Sequence, residues 1–200
     1  MLVQGIKAKI AYLNLVSRVR SPKPHVSGYV SGTSPDTDML AEVDKSGNVI
    51  GSVRRRHAHD YGVLHATVHL LLFNSRDELL VQMRSPFKDS SPRKLSQSVG
   101  GHVSYGLSPT EVLAKETYEE LGIMIERPKL ISAYLYDSNQ GKNRELVCLF
   151  KGSHNGPVYP NYSEVSWAAF FGVDGIKALA QKDPKRFAPS FIADLRYYIS

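Results

Sequence analysis

Residues 100–123 read GGHVSYGLSPTEVLAKETYEELGI, and their local chemistry predicts a short helix with a defined start and a defined stop. Ser108 can accept from the free N–H groups of a first turn, and Pro109 falls where a missing N–H does no harm. Glu111, three residues after Ser108, completes a capping box. Gly122 is the residue type that turns left-handed most easily just past a helix end. Within the helix, Glu116, Glu119 and Glu120 stand at i, i+3 and i+4, so three carboxylates share one face. Like charges at that spacing cost about 0.2–0.5 kcal/mol per pair on an exposed helix, and a divalent cation reverses the sign. Magnesium takes hard oxygen ligands and keeps several waters while it is shared with a substrate's phosphates. Spacing alone favours the plain alternative, a solvated acidic face.

Around this stretch the chain has the composition of an ordinary globular protein. Of its 200 residues, 42% are hydrophobic and 22% charged, enough for one domain with a sizeable core. Cys148 is the single cysteine, so no intramolecular disulfide forms, in keeping with a reducing, cytoplasmic compartment. It lies in the apolar run ELVCLF and reads as a small core residue. The net charge is +6, and half of that excess lies in residues 1–38. A modest basic surplus suits an anionic substrate such as a phosphate ester. There is no basic stripe with interleaved aromatics and no Cys/His finger spacing, so no nucleic-acid partner is expected. No apolar run reaches the roughly 18–20 residues that span a membrane.

Residues 1–38 read as a basic extension whose second part, SPKPHVSGYVSGTSPDTD, has linker composition. Residues 2–19 lack acids and are mildly amphipathic, so an organellar presequence stays open beside a plain extension. The compact domain is expected to run from residue 39 to 200. Residues 41–55 look like a hairpin turning at Lys45–Asn48, and TVHLLLFN (67–74) like a central strand with ELLVQMRS (78–85) pairing back. Strands follow the helix at 128–137, 144–152 and 164–171, then helices at 172–181 and 186–199, where Phe187, Phe191, Leu195 and Tyr198 fall at helical spacing. Strands, a helix, more strands and terminal helices make an α+β pattern with a mixed sheet, not repeating βαβ units.

The stretch 101–123 resembles the Nudix box, G-x5-E-x7-R-E-U-x-E-E-x-G-U, with U an apolar residue. Gly101, Glu116, Glu119, Glu120, Gly122 and Ile123 match it. The similarity extends from about residue 40 to 198, and VLHATVHLLLFN, LLVQMRSPFKDSSPRK and SVGGHV resemble the branch near isopentenyl diphosphate isomerase. Leu107 departs from the box's isolated glutamate, Lys115 from its arginine and Thr117 from an apolar residue. Lysine keeps the charge but loses the planar fork that grips a carboxylate twice. The isomerase's catalytic cysteine has no counterpart, since the triplet here is Gly100-Gly101-His102. Isomerisation is therefore not the expected reaction.

The resemblance implies a Nudix-like mixed sheet between helices, and hydrolysis of a nucleoside diphosphate derivative or related small diphosphate. It implies Mg²⁺, with Mn²⁺ as the alternative, at Glu116, Glu119 and Glu120. Glu119 or Glu120 would accept the water's proton, with Glu145 the better outside candidate and Glu164 behind it. Arg84 is the expected phosphate clamp, with Gly100, Gly101 and His102 beside the substrate, while Lys88 and Arg93 read as solvated loop charges. His59, His65 and His102 fall near positions similar to the isomerase's metal-binding histidines; strand packing and phosphate contact are the alternatives. A homodimer is among the expectations, because Nudix proteins often pair. A weakly active binding or regulatory module is the competing reading, prompted by Leu107 and Lys115.

Overall fold

A nine-residue apolar strand with every side chain buried organises the fold: β3, His65–Phe73. The computed structural model describes residues 38–138 and 142–199. The expected N-terminal extension, apart from Asp38, lies outside the described residues. Both faces of β3 are covered, so the polar His65, Thr67 and His69 are buried together with the apolar residues that alternate with them. Before it come β1 (Met39–Val43) and β2 (Val49–Arg54), antiparallel about the expected turn. Asp44 shapes that turn by accepting from the N–H groups of Ser46 and Asn48. The segment RRHAHDY folds as a short helix, α1 (Arg55–Tyr61), ended by Gly62 at φ 66°.

The chain forms two compact units. One gathers the described residues up to Thr67 with 102–112 and 133–148; the other holds 68–101, 113–132 and 149–199. In the first, β1 pairs with β2 and, at Glu42, with His65 of β3. In the second, β4 (Glu78–Arg84) pairs with β3 at Phe73–Leu79 and with β5 (Leu95–Ser96) at Gln82–Ser96. Along its length it pairs with β9 (Val165–Gly172), Leu79 facing Phe171 and Met83 facing Trp167. The remaining strands are β6 (Val99–His102), which pairs with β3, and β7 (Lys129–Ser138) and β8 (Asn143–Ser153), which pair with each other. Ladders here are antiparallel, and a parallel bridge joins Leu95 to Phe187, so the α+β class with a mixed sheet is as expected.

The helix at the centre of the sequence is α2 (Pro109–Leu121), followed late in the chain by α3 (Val173–Lys182) and α4 (Pro189–Ile199). The terminal helix was expected from residue 186, but it begins at Pro189. Pro184 opens a separate 3-10 turn, and Phe187 is extended because it bridges Leu95. Phe191 and Leu195 are buried as their helical spacing predicts, Phe187 is buried from the extended segment before the helix, and Tyr198 is half-buried; Cys148 is buried too, its thiol pushed up to about 12. Among the described residues no helix is long and apolar enough to cross a membrane.

Just beyond the Phe73–Leu79 pair, Ser98 stands between β3 and β4. Its hydroxyl donates to Leu80 O at 2.6 Å and accepts from the Leu72 N–H at 2.9 Å. Both strand groups are buried and take a side chain in place of a ladder partner. Ser98→Ala removes that partner and is expected to lower stability by about 1–3 kcal/mol, read from the shift in urea midpoint at unchanged m-value.

Candidate functional site

The acidic helix starts as its sequence predicts. The Ser108 N–H donates to Glu111 Oε2 at 2.8 Å, and the Glu111 N–H donates to Ser108 Oγ at 3.3 Å, the reciprocal pair of a capping box. It stops at Gly122, whose φ is +63°. In the second unit, Gly101 and Glu116 approach so closely that a Cβ on Gly101 would lie 2.4 Å from Glu116 Cγ. The glycine thus makes the room that Glu116 occupies. Glu120 is buried and accepts from the Gln82 side-chain amide at 3.0 Å. Burial pushes its pKa up to about 7, and the Glu116 charge adds to that, while Lys88, Gln82 and Arg84 oppose it. Burial also raises Glu116, with Glu119 reinforcing and Lys115 and Lys88 opposing.

Two departures from the expected box acquire a physical account. Thr117 is fully buried, yet its hydroxyl donates to Leu113 O at 2.6 Å, so a polar atom at an apolar position is satisfied within the helix. Lys115 donates to Glu119 at 2.7 Å and lies 3.5 Å from Glu116, acting as counter-ion to two of the three acids. Burial disfavours its ammonium, but the hydrogen bond to Glu119 and the nearby carboxylates outweigh that and raise its pKa.

The first unit holds a different constellation. His59 comes from α1, His65 from the start of β3 and His102 from the end of β6. Their donor atoms all lie within 4.8 Å of one another, and the His59 and His102 Nε2 atoms are 3.1 Å apart. The His65 Nδ1–H donates to Val63 O at 2.8 Å; its Nε2 is buried without a hydrogen-bond partner. Burial lowers the pKa of His59 and His65, with Arg55 acting the same way and Glu145 against it. The rings are thus held toward their neutral, ligating form. Glu145 is buried and accepts from the Asn143 amide at 2.8 Å.

Both donor sets fit a divalent cation. Burial and mutual repulsion disfavour the charges on Glu116 and Glu120, and the lone pair on the buried His65 Nε2 lacks a donor or an ion to bind. Oxygen donors on α2 suit Mg²⁺ or Mn²⁺; three imidazoles suit a softer transition ion.

Of the residues singled out from sequence, Glu116, Glu119 and Glu120 share the second unit with Arg84, Gly100 and Gly101, whereas Glu145 and His102 belong with the imidazoles of the first. Arg84 Nε donates to Ser90 O at 2.9 Å, holding the loop after β4. Gly100 leaves space for the Gln97 amide, which a Cβ there would meet at 2.5 Å. Glu164 pairs with Lys88. Two residues escaped the sequence reading. Gln82 was the polar interruption of a buried strand, and a polar residue at a core position is itself a signal. Lys88 looked like a loop charge; its field on Glu116 and Glu120 depends on a turn that only the fold creates.

Comparison with known proteins agrees with this fold. The family model described as NUDIX domain matches residues 63–191. An isopentenyl-diphosphate Delta-isomerase of Streptomyces avermitilis is 29% identical over 159 residues, covering 77% of this chain and 81% of that protein. An uncharacterized Nudix hydrolase of Pseudomonas aeruginosa is 28% identical over 164 residues, covering 82% of this chain and 95% of its own. Among solved structures, a Deinococcus radiodurans protein superposes with a TM-score of 0.69 at 22% identity, covering 80% of this chain and 98% of that one.

The Glu120 carboxyl holds its proton more tightly folded than unfolded, where its pKa is near 4.5. Its favourable contribution is complete below about pH 4.5 and is lost as pH rises through about 7. In chelator, Glu120→Gln is expected to stabilise the protein by about 1–3 kcal/mol at pH 8 and to give no gain at pH 4, measured by urea unfolding at both values.

Proposed function

The chain belongs to the Nudix family and is a Nudix-type pyrophosphohydrolase, and from that premise we propose that it cleaves the diphosphate linkage of a nucleoside diphosphate derivative or related small organic diphosphate with Mg²⁺. The observation that carries this reading is the glutamate trio on α2, with Glu120 buried between Gln82 and the fields of Lys88 and Arg84. Burial penalises the charge on Glu116 and Glu120, and Lys88 and Arg84 stand close enough to act on them and on a polyanion.

Glu116, Glu119 and Glu120 would hold the ion. When bound, a divalent cation neutralises charge on the diphosphate and lowers the pKa of a water. Lys115 would release Glu119 as the ion enters, since its ammonium and the cation compete for the same oxygens. Glu120 is the general base of this reading. It is buried and held by the Gln82 amide, which would fix it as an acceptor for the proton of an attacking water. Arg84 and Lys88 would bind the diphosphate oxygens, with Arg84 offering a planar fork. Gly101 would hold Glu116 in place through the space it leaves.

The imidazole trio with Glu145 favours a second cation site on the same chain. Isomerisation itself lacks a thiol at position 100, and the Gln97 amide fills the space such a side chain would need.

The test is a panel of nucleoside diphosphate derivatives and prenyl diphosphates assayed with Mg²⁺ or Mn²⁺, with phosphorus NMR to identify the products. Hydrolysis at the diphosphate is expected, and Glu119→Gln and Glu120→Gln are each expected to reduce kcat by about 10²–10⁴. Absence of hydrolysis across the panel, or full activity in both variants, defeats the reading.

A further inference from the structure

Helix α4 is tied to β3 in the second unit by a buried polar contact that the proposed reaction does not use. The His69 Nδ1–H, on β3, donates to both carboxylate oxygens of Asp194, on α4, at 2.9 and 3.0 Å. Asp194 is fully buried and His69 nearly so. Replacing such a pair by apolar side chains of similar bulk often costs a protein little or nothing in stability, so stability is a weak account of its presence. What the pair supplies is orientation. With Nδ1 held by the carboxylate, the imidazole is not free to rotate.

The fixed ring lies against the glycine pair of β6. A Cβ on Gly100 would stand 3.4 Å from His69 Cδ2, an ordinary van der Waals contact, and 2.5 Å from Gln97 Nε2. Gln97 is buried as well, and its Oε1 accepts from the Ser96 hydroxyl at 2.8 Å, so that amide is also held. The next residue, Gly101, is the one whose Cβ would meet Glu116 Cγ at 2.4 Å. Successive residues of a strand look to opposite faces. The backbone at 100–101 is therefore a single layer, with the His69 ring and the Gln97 amide on one side and Glu116 on the other. The contacts run in series, Asp194 to His69, His69 to Gly100 and Gly101 to Glu116, and all of these residues belong to the second unit. Interiors packed this closely transmit a displacement rather than absorb it.

Resting on the reading of Glu116, Glu119 and Glu120 as a cation site, we propose that His69 and Asp194 are positioning residues for it: they brace β6 against α2 and so hold the Glu116 carboxylate where a cation shared with Glu119 and Glu120 can reach it. Glu119 repels Glu116, so a Glu116 given more room moves away from its neighbour. Without the tied ring, the backbone at Gly100 can withdraw into the vacated space and Glu116 can follow it. The loss then falls on cation affinity and not on the existence of α2, whose capping box and glycine stop are local.

Binding of Mn²⁺ to the full chain, followed by the EPR signal of the free ion, tests this without turnover. Glu116→Gln marks which Mn²⁺ belongs to the acids, because it leaves the imidazoles of the first unit intact. His69→Asn keeps an N–H for Asp194 but removes the ring edge at Gly100, and is expected to weaken Mn²⁺ at the acids by about tenfold. His69→Leu combined with Asp194→Leu leaves no buried charge unpaired, and is expected to weaken it by about tenfold in a chain that still unfolds cooperatively. In the Glu116→Gln background either change is expected to cost less than about twofold more, since both act through that one carboxylate. Leu195→Ala trims the packing of the same helix and leaves the pair's atoms in place; as the control for plain destabilisation it is expected to keep Mn²⁺ affinity within about twofold of the wild type. Wild-type affinity in either His69 variant, an undiminished loss on top of Glu116→Gln, or the same loss from Leu195→Ala overturns the positioning role. If Glu116→Gln itself leaves Mn²⁺ binding unchanged, the cation-site reading falls and the positioning role with it; if Glu116→Gln weakens binding and either His69 variant does not, only the positioning role falls.

Discussion

The close approach of Gly101 and Glu116 is the constraint on which the acidic site depends. No side chain larger than hydrogen fits at 101 while Glu116 keeps its place, because a Cβ there would stand 2.4 Å from Glu116 Cγ. Packed interiors absorb such overlaps poorly, so the glycine sets how near α2 lies to β6 within the second unit. Gly122 does the same at the far end, where its left-handed φ ends the helix and its missing side chain admits Tyr159. Between these two contacts the three glutamates are held with little freedom to relax their repulsion.

That held repulsion is the electrostatic character of the site. Glu120 is buried, Glu116 partly so, and both are shifted toward the neutral form by lost hydration before any charge is counted. Lys115 offsets part of the cost as an internal counter-ion for Glu119 and Glu116. An arginine in its place would grip one carboxylate with two bonds; the lysine spreads a point charge over two. Stability and function pull in opposite directions here. The acids cost folding energy without a cation, and in the proposed reading a bound cation would recover that cost as affinity.

The imidazole trio shows the same logic in the first unit with different chemistry. His59, His65 and His102 come from separate elements and converge with one buried nitrogen unpartnered. Burial keeps the pKa of His59 and His65 low, against the field of Glu145, so these two rings would favour a cation over a proton.

Helix α2, its capping box, its glycine stop and the shared face of Glu116, Glu119 and Glu120 were legible in the sequence because each rests on contacts within four residues along the chain. The strand core was legible as well, since burial on both faces leaves an apolar run such as that of β3. The start of α4 at Pro189 was not, because the Leu95–Phe187 bridge that holds the preceding residues extended joins positions 92 residues apart. Only the tertiary structure decided that Gln82 reaches Glu120, that Lys88 pairs with Glu164, and that three dispersed histidines meet. The physical reason is range. Hydrogen bonding within a helix depends on neighbouring residues, whereas burial, and with it the pKa of a carboxylate, depends on chain segments that folding brings in from far away.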